Sequence, residues 1–297
     1  MTAISHISTP LLDIAYEEAG PRSGRPVILL HGWPDDARTW DRVLPSLHGA
    51  GLRTFSPYLR GFGPTRFRSA ATPRSGQLTA LAQDALDLAT ALGLGKFVIL
   101  GHDWGARAAY IATAIAPERI SHCVSLSVGW GTNHSDQALS LRQARNYWYH
   151  WFMALERGAE AFRRDGEGFA RLMWDSWGPQ GWYSQAEFAA TARSFANPDW
   201  TQIVLHSYRH RWGNAEGDPA YDPLEIRVRS APVIQVPTLV IHGAVDGSND
   251  QAMSAGREGV FSGPYRRFVL DGVGHFPSRE VPEPVAKAVI EFLEHHR

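Results

Sequence analysis

A short apolar run, Phe97-Val98-Ile99-Leu100, runs straight into Gly101-His102-Asp103-Trp104-Gly105, and a small-residue segment continues from Trp104 to about Ala116 before Pro117 closes it. This passage limits the fold more than any other. It predicts a buried strand that turns within one residue into a helix, with the residue at the turn exposed above a sheet on a strained backbone. Gly101 and Gly105 have no side chains, so strand and helix can approach closely. The apex residue is Asp103, and the N-terminus of the following helix favours its ionised form.

Other segments repeat the alternation. Val27–Leu30, Cys123–Val128, Thr238–Ile241 and Phe268–Leu270 are short apolar runs with the length and flanking turns of buried strands. Leu78, Leu81, Ala82, Ala85, Leu88, Ala89 and Leu92 recur at helical spacing within Gln77–Leu92, with Gly93 as a stop, and Val285–His295 reads as a closing amphipathic helix. Strands alternating with helices predict an α/β class fold, a mostly parallel central sheet flanked by helices on both faces. The alternation lapses over 129–228, which is rich in helix formers and holds eight of the eleven tryptophans. That stretch reads as a helical insertion after the sixth strand, forming a cap, while 1–128 and 229–297 form the core. An apolar pocket at the junction is expected, since small-molecule sites favour such places.

Composition narrows the function. Over 297 residues the chain is 44% apolar and 20% charged, with a formal charge of −1 and no long run of one sign. Nothing resembles the basic stripe of a nucleic-acid binder. The single cysteine, Cys123, excludes an internal disulfide framework and fits a reducing, cytoplasmic setting. Met1–Pro10 lacks the pattern of a signal peptide, and no apolar run reaches the length of a membrane span. The expected partner is a small molecule, apolar or aromatic; a homodimer is compatible, and neither metal nor cofactor is implied.

Partners for Asp103 stand in order along the chain. Gly272-Val273-Gly274-His275-Phe276-Pro277 follows the last strand, where the base of a nucleophile–acid–histidine set belongs. His275 would deprotonate a water. Asp246, after the preceding strand, is the chosen acid to orient it, with Asp250 the alternative. The backbone N–H groups of Trp33, in His31-Gly32-Trp33-Pro34, and of Trp104 would form an oxyanion hole. A carboxylate nucleophile displaces leaving groups at sp³ carbon and forms an alkyl ester. Epoxides or carbon–halogen bonds are therefore expected rather than ordinary esters.

These motifs, in this order, resemble the aspartate-nucleophile branch of the α/β-hydrolase fold, which includes epoxide hydrolases, haloalkane dehalogenases and haloacetate dehalogenases. Gly-His-Asp-Trp-Gly and His-Gly-Trp-Pro look most like the epoxide hydrolases. Haloalkane dehalogenases commonly carry asparagine or glutamate where Trp33 stands. Haloacetate dehalogenases clamp a carboxylate with two arginines; Trp104 occupies the first of those positions and Arg107 the second. The resemblance implies cap donors for the leaving oxygen at His150 and Tyr208, with Tyr149 in place of His150 if the helix register is one residue off. His150, Trp151 and Tyr208 also match a halide pocket. The implied activity is opening of an oxirane to a vicinal diol through an ester on Asp103. Halide displacement by the same residue is the alternative, and a binding protein without turnover the third possibility.

Overall fold

The computed structural model describes residues 3–132 and 138–296. Nine strands form one sheet: β1 (Ile4–Ser8), β2 (Leu12–Ala19), β3 (Arg25–Leu30), β4 (Leu52–Pro57), β5 (Arg66–Phe67), β6 (Phe97–His102), β7 (Ile120–Leu126), β8 (Thr238–Gly243) and β9 (Tyr265–Leu270). Their order across the sheet is β1-β2-β4-β3-β6-β7-β8-β9, with β5 paired to β2. From β4 to β9 every neighbouring pair is parallel; β1, β2 and β5 add antiparallel pairs at one edge. The chain leaves β3 to build outward through β4, then returns to place β6 on the other side of β3. The crevice above the C-terminal ends of β3 and β6 is thus a topological switch point, where open α/β sheets bind ligands.

Successive side chains of the central strands point to opposite faces. Val27, Leu29, Val98, Leu100, Val124 and Leu126 pack with α1 (Leu44–Gly49) and with α12 (Pro282–His295) through Leu47, Val285, Val289 and Phe292. Ile28, Leu30, Ile99 and Cys123 point the other way, towards α2 (Leu78–Ala91) and α3 (Trp104–Ile115). Because both faces are covered, β6 and β8 are buried at every residue. That burial is why they read as continuous apolar runs and not as alternating ones.

Between β7 and β8 the chain is helical: α4 (Leu141–Asn146), α5 (Trp148–Ala154), α6 (Glu156–Arg164), α7 (Gly166–Trp177), α8 (Gln185–Ala192), α9 (Trp200–Arg211) and α10 (Asp222–Arg229). Ser184 and Glu187 form a reciprocal capping box at the start of α8. The short helix α11 (Pro277–Glu280) follows β9 and leads into α12. The segment leaves from β7, the seventh strand in chain order because the two-residue β5, unforeseen in the sequence, is counted; among the longer strands β7 is the sixth.

Candidate active site

Asp103 lies at the junction of β6 and α3 with φ 51° and ψ −112°, a conformation that costs a non-glycine residue about 1–3 kcal/mol. The neighbours leave no alternative path. A Cβ on Gly101 would lie 2.1 Å from the Gly105 carbonyl oxygen, and one on Gly32 would lie 2.4 Å from Cβ of Asp103. Glycine at 101 lets helix and strand meet; glycine at 32 lets the turn after β3 close on the carboxylate. There the Trp33 N–H donates to Asp103 Oδ1 at 3.0 Å. Trp104 opens α3, whose first amides lack partners within the helix.

His275 stands opposite, fully buried, with Nε2 3.6 Å from Asp103 Oδ2 and Nδ1 2.8 Å from Asp246 Oδ2. The other oxygen of Asp246 accepts from the N–H groups of Ser248 (2.7 Å) and Asn249 (2.8 Å). Burial alone would press the His275 imidazole down; the carboxylates of Asp246 and Asp103 outweigh it and push its pKa up to about 10. Burial would likewise raise both carboxyls, yet His275 holds Asp103 and Asp246 below the usual carboxylate range, and His242 helps with Asp246. Asp250 is otherwise engaged: it caps the turn at Ala252 and pairs with Arg142 at 2.8 Å. The carboxylate bonded to His275 is that of Asp246.

The loop carrying His275 is fixed by its own backbone. Its N–H donates to the Trp177 carbonyl, and its carbonyl accepts from His102 Nε2 and Ser127 Oγ. Burial drives the His102 pKa down to about 4, so it is a neutral strut under the site. A buried ion pair ties the turn after β3 to α11: Arg279 donates to both oxygens of Asp35 at 2.7 and 3.0 Å. Sequence reasoning missed His102 and Arg279 as supports, and only the position of His102 inside the elbow hinted at one. Arg279→Met leaves Asp35 charged, buried and unpaired, and should destabilise the fold by about 3–5 kcal/mol. A urea titration checks this; a midpoint shift within error would mean that water reaches Asp35.

Aromatic rings close the space above Asp103. Tyr149 stacks on Trp33 (centroids 5.8 Å apart), Tyr208 meets Trp33 edge-on (5.2 Å), and the two tyrosines are 5.3 Å apart. Tyr208 Oη accepts from Trp104 Nε1 at 3.2 Å, and Tyr149 Oη lies 3.1 Å from Ser248 Oγ. Burial, and after it the nearby Asp103 charge, raise both phenols well above their ordinary range: on Tyr149 Asp103 acts next, on Tyr208 Tyr149 acts before it. Both remain protonated donors. His150 adjoins the same rings, its centroid 4.6 Å from that of Tyr208 and 4.3 Å from that of Tyr149, but it makes no ring contact with Trp33 among those of the described residues; its Nε2 has no hydrogen-bond partner. The ring stacks on Tyr147 at 4.2 Å, and Nδ1 accepts from Trp212 Nε1 at 3.0 Å. After burial, the groups that depress its pKa are Arg211 and Arg107. Trp151 is 37% exposed and packs on Trp212, apart from the rings around Asp103. Arg107 lies one helical turn beyond Asp103 and donates to Thr132.

Residues 25–280 match the α/β hydrolase fold family. The chain belongs to that family. The α/β hydrolase shares 27% identity with epoxide hydrolase A of Mycobacterium tuberculosis, over 93% of this chain and 92% of that one. It shares 28% with an epoxide hydrolase of Caballeronia sordidicola, over 95% and 90%. A crystal structure from Klebsiella pneumoniae, provisionally described as an epoxide hydrolase, superposes with a TM-score of 0.92 at 38% identity, covering 97% of this chain and 96% of that one. In this α/β hydrolase, the turns after β3, β6, β8 and β9 deliver Trp33, Asp103, Asp246 and His275 to one point. Among the described residues no cluster of three or more His, Cys, Asp or Glu side chains could hold a metal ion, and no helix is long and apolar enough to cross a membrane.

Proposed function

We propose that this α/β hydrolase opens epoxides to vicinal diols through an alkyl ester on Asp103. One observation carries the reading: two buried, protonated tyrosines, 149 and 208, share the wall formed by Trp33, whose N–H holds the carboxylate. Displacement at an oxirane carbon creates an alkoxide in the same molecule, and that oxygen needs a proton. The names of the relatives support the same chemistry. Oδ1 of Asp103 is engaged by Trp33, which leaves Oδ2 as the attacking atom. Oδ2 forms a bond to an oxirane carbon, the carbon–oxygen bond of the ring breaks with its electron pair on oxygen, and Tyr149 or Tyr208 supplies the proton; the imidazolium of His275 gives up its proton to restore the tyrosine and so becomes the neutral base. His275, oriented by Asp246, then takes a proton from water as that water adds to the ester carbonyl. The oxyanion forms on Oδ1, stabilised by the N–H groups of Trp33 and Trp104. Its collapse expels the diol and restores the carboxylate.

In this reading 1–128 and 229–297 serve as the core and 129–228 as the cap that brings Tyr149 and Tyr208. Tyr149, rather than His150, partners Tyr208 as donor, and the aromatic walls favour an apolar or aromatic portion of substrate. Trp104 Nε1 already bonds Tyr208 Oη and is not free to hold a halide, which weighs against halide displacement. A reducing, cytoplasmic setting suits the one buried thiol, Cys123.

A single-turnover reaction in heavy-oxygen water, with enzyme in excess over epoxide, tests the whole sequence. The expected first product is unlabelled diol, with the label in the peptide that contains Asp103. Label in the first diol would mean direct attack by water. Halide release from haloalkanes or haloacids without diol from any epoxide would transfer the reading to a dehalogenase. Ligand-dependent thermal stabilisation without any product would indicate a binding protein.

A further inference from the structure

The four residues that follow Asp246 are each bonded from the helices between β7 and β8. The Gly247 N–H donates to the Trp177 carbonyl at 3.2 Å, the same carbonyl that accepts from the His275 N–H at 2.9 Å. The Ser248 carbonyl accepts from Gln143 Nε2 at 2.9 Å, and the Asp250 N–H donates to Gln143 Oε1 at 2.7 Å. Tyr147 Oη donates to Asn249 Oδ1 at 2.6 Å, and Tyr149 Oη lies 3.1 Å from Ser248 Oγ. Gln143 is fully buried, and its one carboxamide on α4 spans the two backbone groups that flank Asn249. Removing it would leave a carbonyl and an N–H of a buried loop without partners, which native folds avoid. From the core side His242 Nε2 lies 2.9 Å from the Asn249 carbonyl.

These contacts converge on one carboxylate. Ser248 and Asn249, which Gln143 and Tyr147 hold, are the residues whose N–H groups bind Asp246 Oδ1, and Oδ2 faces His275 Nδ1 at 2.8 Å. A shift of the loop therefore turns the carboxylate away from the imidazole. The base has a separate anchor. Glu280, on α11, accepts from the N–H groups of Gly274 and Phe276 at 2.7 and 2.9 Å, on either side of His275. Asp103 is held by the Trp33 N–H and the turn glycines, and Tyr208 by Trp104 Nε1. We infer that Gln143, with Tyr147 beside it, is a positioning residue for ester hydrolysis: through the loop 247–250 it sets Asp246, and through Asp246 the direction of His275. This rests on the reading of Asp103 as an ester-forming nucleophile. The consequence is a division between the two steps. Attack by Asp103 draws on the turns after β3 and β6 and on a tyrosine fixed by Trp104. Activation of water draws on a pair whose acid is shaped from α4, so the second step requires α4 in place and the first does not. A displacement of about 1 Å between reacting groups can cost ~10²-fold in rate.

Gln143→Met keeps the length of the side chain and removes both polar ends. With styrene oxide as the probe, rapid quench should show ester formation within about 3-fold of wild type and ester hydrolysis slower by ~10-fold or more, so that the Asp103 ester accumulates during turnover. The ratio of the two rates is the readout; a partly unfolded sample lowers both amplitudes and leaves that ratio alone. Tyr147→Phe, which removes the bond to Asn249, should move the ratio the same way by less, and it carries the test where Gln143→Met does not fold. A ratio unchanged in the folded variants, or ester formation slowed as much as hydrolysis, overturns the role. Proton NMR of the resting enzyme needs no substrate and separates this outcome from failure of the epoxide reading. The hydrogen on Nδ1 between His275 and Asp246 should give a far-downfield resonance that Asp246→Asn lacks. In Gln143→Met, or in Tyr147→Phe in its place, that resonance should move upfield or broaden by exchange with water. Such a change keeps the positioning role even where no epoxide is opened; a resonance identical to that of the wild type removes it.

Discussion

His275→Gln exposed to an epoxide at about pH 8 should gain a stable mass equal to one epoxide per chain. The substitution removes the base but leaves the nucleophile in place: Trp33 still holds Oδ1 of Asp103, and Gly32 and Gly101 still shape the turn. Loss of the cation between Asp103 and Asp246 lets the Asp103 pKa rise. It starts below the ordinary carboxylate range, so the group stays ionised at that pH. Attack therefore continues, while hydrolysis loses general-base assistance of about 10²–10⁴-fold. The ester outlives the experiment, and peptide mapping should place it on Asp103. Asp103→Asn, with an amide in place of the carboxylate, should gain no mass. An adduct mapped to another residue would displace Asp103 from its role. Full turnover by His275→Gln would assign the base elsewhere.

The second large effect is expected at the tyrosines. Tyr149→Phe and Tyr208→Phe should each slow ester formation by about 10²-fold, and the double variant by about 10³–10⁴-fold, because the departing oxygen then lacks both acids. Rapid quench with the His275→Gln background isolates this step from hydrolysis. His150→Asn should change it by only a few fold, since that imidazole stacks on Tyr147 and accepts from Trp212. A loss at His150 equal to that at Tyr149, with Tyr149→Phe nearly silent, would restore the register first expected from the sequence.

That register shows where sequence reading stops. The buried strands β3, β6, β7 and β8, and α3, were legible because full burial leaves apolar runs and because the elbow needs small residues on both sides of Asp103. His275 and Asp246 were legible from position alone, after β9 and β8. β1, β2, β4 and β5 were not: polar residues interrupt them, as Asp13, Glu17 and Glu18 do in β2 and Arg53, Thr54 and Ser56 in β4, and none forms an apolar run. In Tyr147-Trp148-Tyr149-His150-Trp151-Phe152 every position is aromatic or imidazole, so no polar face marks which side turns inward. The structure buries Tyr149 and His150 but directs only the former at Trp33. Arg211 carried no signal, since an arginine near a helix C-terminus usually meets water. Only the folded structure reveals that two of its nitrogens are sealed.

The imidazole held between two carboxylates has a consequence for the order of events. At rest the trio of Asp103, His275 and Asp246 sums to one negative charge and keeps a proton in reserve on His275. Esterification of Asp103 neutralises one of the two charges that keep the proton there, and the same step creates negative charge on the ring oxygen and its tyrosine donors. The reserve proton loses its hold just as a new acceptor appears in the same site. The site therefore withholds its base until there is an ester to hydrolyse. An empty pocket holds imidazolium, which cannot activate water, and the completed first step releases the catalyst for the second.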